Sequence, residues 1–310
     1  MGEPFRKILL LLGPLLLVNS CDGSDARTSK VDVTIIVDKP FCYESSDGVF
    51  KGFIPDMMTA IEEMTKLSFD YKEIEDGKYG TLSKGQWSGM IGKLERKEAM
   101  IAAGPITVTN DRRTVVDFTT PFMTVDLALL MPKEDGARKI ASAEDLLHQN
   151  DLNYGLVHGT STHEFFKSTN VETYARMFDA MTRHGIFFSS LEDGIKNVRA
   201  SLKETQRIGL LVESAKADYL ASQPPCDLIA VPIIKNYRQY ALAVAKTYSK
   251  KDQLNRTIEE LKTSGKLAKL QSKWWKSLCT DASSNVAFGW MTIFVTLGAV
   301  LVVEKWLKGC

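Results

Sequence analysis

The stretch Gly104-Pro105-Ile106-Thr107-Val108-Thr109-Asn110-Asp111-Arg112 gathers three kinds of polar group within a few residues. Pro105 has no backbone N–H but keeps its carbonyl, and Thr107 carries a hydroxyl. Arg112 presents a planar fork of donors that fits a carboxylate bidentately. A carbonyl for an ammonium and a fork for a carboxylate could hold an α-amino acid by both ends. Taken alone, Arg112 has a plainer reading as a cation on a solvated face. Two other stretches offer complementary chemistry. Ser161 and Glu164 form an S-x-x-E capping box, so a helix is expected to begin there. Its first N–H groups and positive dipole end could receive an anion, although from the residues alone an ordinary capped helix is the better reading. Ile208 to Val212 reads as a buried strand ending in Glu213, which by itself is a solvated strand-end acid.

Other chemistries find no support. The four histidines, His148, His158, His163 and His184, show no H-E-x-x-H spacing. There is no G-x-S-x-G elbow and no Gly-rich phosphate loop after a strand, so no enzyme activity, cofactor or metal is expected. A chain of 310 residues with 44% hydrophobic residues can bury one or two cores, and a net charge of +1 argues against nucleic acid as a partner. The five cysteines are Cys21, Cys42, Cys226, Cys279 and Cys310, an odd number that leaves at least one unpaired if the rest form disulfides.

The elements that must position these groups follow from periodicity. Arg6 and Lys7 precede the apolar run Ile8 to Val18, and small Ser20 offers a cleavage position. Residues 1–20 therefore read as a secretory signal, and the mature chain meets an oxidising compartment. A lipoprotein signal ending at Cys21 is the alternative, which Asn19 fits poorly. Val31 to Val37 predicts a strand ended by Asp38-Lys39-Pro40. Met57, Ala60, Ile61 and Met64 predict one helix, and Trp87, Met90, Ile91 and Leu94 a second, both facing core. Leu127 to Met131 predicts a strand followed by a polar turn from Pro132 to Gly136. Leu254, Ile258 and Leu261 predict a further helix, in which Asn255-Arg256-Thr257 is a glycosylation sequon at Asn255. Val286 to Val303 is an uncharged, mostly apolar run of 18 residues. At about 1.5 Å per residue it reaches across a hydrocarbon core of about 30 Å, and Lys305 and Lys308 suit a cytoplasmic tail at 304–310. A removed lipid-anchor signal is the alternative, against which the charged end Glu304 to Lys308 argues.

Several motifs fall in register. Asp76-Gly77-Lys78-Tyr79-Gly80 is followed by Gly85-Gln86-Trp87-Ser88-Gly89-Met90-Ile91-Gly92-Lys93-Leu94, then by the Pro105 to Arg112 stretch, Val115-Val116-Asp117-Phe118 and Pro121-Phe122-Met123. In this order and spacing they resemble the ligand-binding domain of ionotropic glutamate receptors, from about Val31 to Val303. The resemblance implies an α/β fold, a two-lobed periplasmic-binding-protein-like clamshell with a C-terminal transmembrane helix at 286–303. Lobe 1 would combine 31–125 with 240–280, and lobe 2 would be 126–239. Two crossing segments, near Phe122 to Met131 and Val231 to Ala241, would join them. It also implies that Arg112, helped by Thr107, holds an α-carboxylate, and that the Pro105 carbonyl, Thr107 and Glu213 take the ammonium. Tyr79 would cover the ligand, Ser161 and Thr162 would receive a distal carboxylate, and Tyr240 would support Glu213. Cys226 and Cys279 resemble the family's disulfide pair.

Two departures from the family pattern stand out. Thr160 replaces the usual Gly before Ser161-Thr162 and is expected to crowd that loop. Asp38 facing Leu191 replaces a Glu and a Thr that often clasp the lobes, which predicts a weaker clasp. Only a few residues separate Lys133 from Ser142, where channel-forming members insert their pore segments, and none approaches the length of a span. The resemblance thus implies a single-pass plasma-membrane receptor with an extracellular binding domain, no pore of its own, and L-glutamate or a related amino acid as ligand. It could be a homodimer or co-assemble with full-length glutamate receptor subunits. An incomplete channel-subunit sequence is one alternative and stays open; a solute-binding protein of an amino-acid transporter is the other, against which the C-terminal span, the Trp274-Trp275 pair and the Cys226 and Cys279 positions favour the receptor.

Overall fold

Ile101 to Thr107 is buried at every position, as a strand must be when helices cover both faces of its sheet. In the computed structural model, which describes residues 30–137 and 139–279, this strand sits inside a nine-stranded sheet. Its strands are β1 (Val31–Ile35), β2 (Phe69–Glu73), β3 (Ile101–Thr107), β4 (Val116–Phe118), β5 (Met123–Pro132), β6 (Leu152–Val157), β7 (Phe187–Phe188), β8 (Arg207–Glu213) and β9 (Leu228–Ala245). Their order is β7-β6-β8-β5-β9-β3-β1-β2, with β4 pairing β9 off that path. β1 is parallel to β2 and β3, and β8 is parallel to β6. The neighbours of β9 are antiparallel to it.

Four apolar clusters cover this sheet, two at each end. At the β1–β3 end, helix Phe53–Thr65 buries Phe53, Met57 and Ile61 against Leu254, Ile258 and Leu261 of helix Lys251–Thr263. The opposite face is filled by Met90, Ile91 and Leu94 of helix Gly89–Glu95. At the β6–β8 end, Phe166, Met177 and Met181 pack on one face, and Val198 and Ala217 on the other. This is a mixed α/β architecture that fits a two-lobed clamshell.

One sheet runs through both ends of the molecule. The two crossing segments are themselves extended and pair antiparallel, from Leu228 opposite Pro132 to Tyr240 opposite Met123. The ladder therefore continues through the crossing, with register shifts between Pro232 and Ile234 and between Ile234 and Arg238. Two local expectations are corrected. Met64 is 39% exposed, because it lies in the last turn of its helix beyond the sheet. Trp87 is buried but belongs to the short ribbon Leu82–Ser83 with Gln86–Trp87, two residues before the helix starts at Gly89.

Cys226 and Cys279 are disulfide-bonded with Cα atoms 5.7 Å apart. Beside the bond the Leu278 N–H donates to the Ser222 carbonyl at 2.8 Å. Leu278 and Cys279 are thus tied to the end of helix Ser214–Ala221, while Trp274 and Trp275 just before them pack against the β1–β3 end. Cys42 is free and buried, and that burial pushes its thiol up to about 12. Among the described residues no helix is long and apolar enough to cross a membrane. The expected leader at 1–20, the span at 286–303 and the tail at 304–310 lie outside them.

The disulfide closes a sequence separation of 53 residues, for which loop-closure entropy gives on the order of 4 kcal/mol. Replacing both cysteines by serine should lower the urea midpoint accordingly. An unchanged midpoint would show that the bond does not hold this edge of the fold.

Candidate functional site

A loop fixed from behind builds one wall of the site. Gly89 has φ +60, and a Cβ there would lie 2.2 Å from the Lys78 carbonyl oxygen, so only glycine lets the loop approach. The Gly89 N–H donates to Asp76 Oδ2 at 2.9 Å, and the N–H groups of Met90 and Ile91 donate to the carbonyls of Lys78 and Tyr79, each at 3.0 Å. The open N-terminus of helix Gly89–Glu95 thereby clamps Lys78 to Gly80 in place. Gly80, at φ +138, then turns its carbonyl to accept from Arg112 Nη2 at 3.0 Å.

Arg112 lies in the short helix Asn110–Val115, whose N-cap Thr109 accepts the Arg112 N–H at 3.3 Å. Its Nη1 donates to the Thr107 carbonyl at 2.8 Å. The residue is 6% exposed. Burial pulls its guanidinium down to about 10, while the Glu213 carboxylate and Tyr79 pull the other way. It remains a cation at neutral pH, with two of its five N–H groups held by carbonyls. In β3 the register with β9 shifts between Ala241 and Ala243, which leaves Gly104 and Pro105 opposite the irregularity.

The facing wall comes from β8 and two helix starts. Glu213 ends β8, and Thr162 Oγ1 donates to its Oε1 at 3.0 Å. The helix runs Ser161–Ser168, but its N-cap is Thr160 and not Ser161. The Thr160 hydroxyl accepts the His163 N–H at 3.2 Å and donates to the Val157 carbonyl at 2.9 Å. Glu164 instead lies 3.1 Å from His163 Nδ1, so the expected capping box is not formed. Thr160 is exposed and lines the cleft, with its hydroxyl turned onto the His163 N–H and the Val157 carbonyl.

Between the walls is a cleft of about 750 Å³. Of the expected site residues, Tyr79, Pro105, Thr107, Arg112, Ser161, Glu213 and Tyr240 line it. Thr162 does not; it is buried behind Glu213 at 3% exposure. Burial, and then the Asp38 and Glu213 carboxylates, hold the Tyr79 and Tyr240 phenols well above their usual range, so both stay neutral hydroxyls. Asn255, the sequon residue, is half-buried in mid-helix with Oδ1 accepting the Thr120 N–H at 2.8 Å. Among the described residues no cluster of His, Cys, Asp or Glu is placed to hold a metal.

Sequence reasoning missed Lys216. Its ammonium reaches Asp38 Oδ1 and the Lys39 carbonyl, while the Tyr79 hydroxyl donates to Asp38 Oδ2. Asp38 and Leu191 both line the cleft, but Asp38 pairs with Lys216, so the expected weak clasp is replaced by an ion pair. The available signal was spacing: Lys216 follows Glu213 by three residues, one turn along a helical face. Two neutral contacts also cross the cleft, Thr81 Oγ1 to the Gly159 carbonyl at 3.0 Å and Ser161 Oγ to Thr107 Oγ1 at 3.3 Å.

Residues 29–135 match a family described as "Ligated ion channel L-glutamate- and glycine-binding site". Ser161, Glu213 and Tyr240 fall beyond that segment and are reached by comparison with whole relatives. The chain is 24% identical to "Glutamate receptor" of Lymnaea stagnalis over 88% of its own length and 43% of that protein. It is 22% identical to "Glutamate receptor U1" of Xenopus laevis, over 87% of this chain and 79% of that protein. With "Glutamate receptor 3" of Mus musculus the identity is 21% over 83% of this chain and 44% of that protein. The chain therefore spans less than half of the snail and mouse relatives and most of the frog one.

Gly89→Ala should destabilise the chain by about 1–3 kcal/mol, since a left-handed Ala and a displaced backbone carbonyl are both required. Chemical unfolding measures the loss, and hydrogen exchange should quicken at Tyr79 and Gly80. Wild-type values for both would show that the loop is not held by this close approach.

Proposed function

We propose that this chain, which carries a ligand-binding domain of the ionotropic glutamate receptor family, is a membrane-anchored receptor whose lobes close on an extracellular α-amino acid, glutamate before others. The observation that carries this reading is the buried Arg112 cation, fixed by two backbone carbonyls on one wall of the cleft, with Glu213 on the facing wall. Arg112 would pair the α-carboxylate, and Glu213 with the Pro105 carbonyl and Thr107 would take the ammonium. Tyr79 would cover the ligand. Lobe 1 in this reading is 31–125 with 240–280, and lobe 2 is 126–239.

The distal end is read through the helix that starts at Ser161. Thr160 takes up the His163 and Glu164 N–H groups, so those of Ser161 and Thr162 come first in line for an anion. The Thr162 hydroxyl, bonded to Glu213, supports the ammonium anchor instead of the distal carboxylate. A distal carboxylate gains charge-assisted hydrogen bonds of roughly 1.5–3 kcal/mol each, which implies at least about a tenfold preference for glutamate over glycine. Calorimetric titration of the full chain with L-glutamate and glycine tests this. Arg112→Ala should abolish binding of both, and Thr162→Val should weaken both, because every α-amino acid uses Glu213. Glycine binding as tightly as glutamate would sink the distal-pocket reading.

The absence of a pore is supported by the short link between Lys133 and Ser142, far below the roughly 20 residues of a membrane helix. The comparison with the frog relative extends over 387 residues, more than the 310 of this chain, so that relative has internal sequence with no counterpart here. Secretion by residues 1–20, anchoring at the plasma membrane by 286–303, and assembly as a homodimer or with full-length subunits complete the reading. The reconstituted chain alone should pass no amino-acid-gated current; a current that follows ligand addition would refute the pore-less receptor.

A further inference from the structure

Lys216 and Asp38 lie 178 residues apart in sequence and on opposite walls of the cleft. We propose that Lys216 is a positioning residue for ligand capture: it holds Asp38 across the cleft and, through Asp38, sets the Tyr79 side chain.

Each side of the pair is rigidly mounted. Asp38 sits in a tight turn in which its N–H donates to the Cys42 carbonyl at 2.9 Å, and its carbonyl accepts from Phe41 and Cys42 at 2.9 and 3.1 Å. Lys216 is on helix Ser214–Ala221, where Ala217 is fully buried and the Ala215 carbonyl accepts from Trp275 Nε1 at 2.6 Å. The Lys216 side chain is 11% exposed and that of Asp38 24%, so water screens the pair far less than a surface ion pair. Both Asp38 oxygens are engaged, one by Lys216 and one by Tyr79. A shift of Lys216 therefore frees the carboxylate that orients the Tyr79 hydroxyl. The other two cross-cleft contacts join neutral groups, so the charged pair dominates closure at this edge.

The pair also sets the charge a ligand meets. Asp38, Glu192 and Glu213 line the cleft with Lys78, Arg112 and Lys216, three acids against three cations. Without the Lys216 charge the cleft is net acidic, and a ligand with a second carboxylate is opposed by the uncompensated Asp38. Lys216 thus favours an acidic amino acid without touching it, a consequence that rests on the amino-acid reading of the cleft. The positioning role does not.

Hydrogen exchange of the full chain without ligand tests the closure. Lys216→Met, which keeps the apolar stem and removes the charge, should speed exchange about tenfold or more at Lys78–Thr81 and at Gly159–Ser161. Ile101–Ile106, inside the sheet, should be unaffected. Asp38→Asn should do the same from the other wall, and the double variant should be no worse than either single one. Lys216→Gln, which can still donate to Asp38, should fall between wild type and Lys216→Met. Calorimetry with L-glutamate should show about tenfold weaker binding for Lys216→Met and a smaller loss for glycine. Unchanged exchange at both facing segments, or additive effects in the double variant, would overturn the proposal. No glutamate binding to the wild-type chain would sink the amino-acid reading instead, and the exchange result would still decide the role of Lys216.

Discussion

Burying a guanidinium is costly unless its donors are met, and the cleft wall is arranged around that requirement at Arg112. Two donors go to the carbonyls of Thr107 and Gly80, which come from a strand and a loop far apart in sequence. The Gly80 carbonyl is available only because Gly80 adopts φ +138 and Gly89 lets the loop settle onto a helix start. The Glu213 carboxylate offsets part of the burial penalty on the positive charge. Displacing the loop, the strand or the acid would thus change the state of the same cation.

The long strands β5 and β9 give this arrangement its mechanical character. They pair with each other while crossing between the two ends of the sheet, so the halves are linked by hydrogen-bonded backbone. The ladder is interrupted by register shifts between Pro232 and Ile234 and between Ile234 and Arg238. Side chains bridge the cleft as well, where Lys216 meets Asp38 and Thr81 meets Gly159. Trp275 and the Cys226–Cys279 bond tie the far end of the described chain to the helix that carries Lys216. The mount of the clasp and the C-terminal edge of the fold are in this way one packed unit.

Much of this was legible in the order of residues, because periodicity and local chemistry report on their immediate neighbours. The apolar stripe of Leu254, Ile258 and Leu261 is buried as its spacing required, and the strand leading to Glu213 ends where the apolar run ends. The polar groups of Pro105, Thr107 and Arg112 could be picked out from what each side chain can donate or accept. The cysteine pairing was available only by resemblance, since spacing cannot choose among five cysteines.

Tertiary structure alone decided which partner each polar group takes. Thr162 was expected at the ligand and lies behind Glu213, because the helix is capped one residue earlier, by Thr160. Asp38 was expected opposite Leu191 and meets Lys216, because the helix after β8 aims its first turn across the cleft. Local sequence fixes where a chain extends or coils, since those choices depend on neighbours within a few residues. Hydrogen-bond partners across a cleft depend on how rigid pieces are placed in space, and an acid and a base 178 residues apart acquire their meaning only when the folded backbone brings them together.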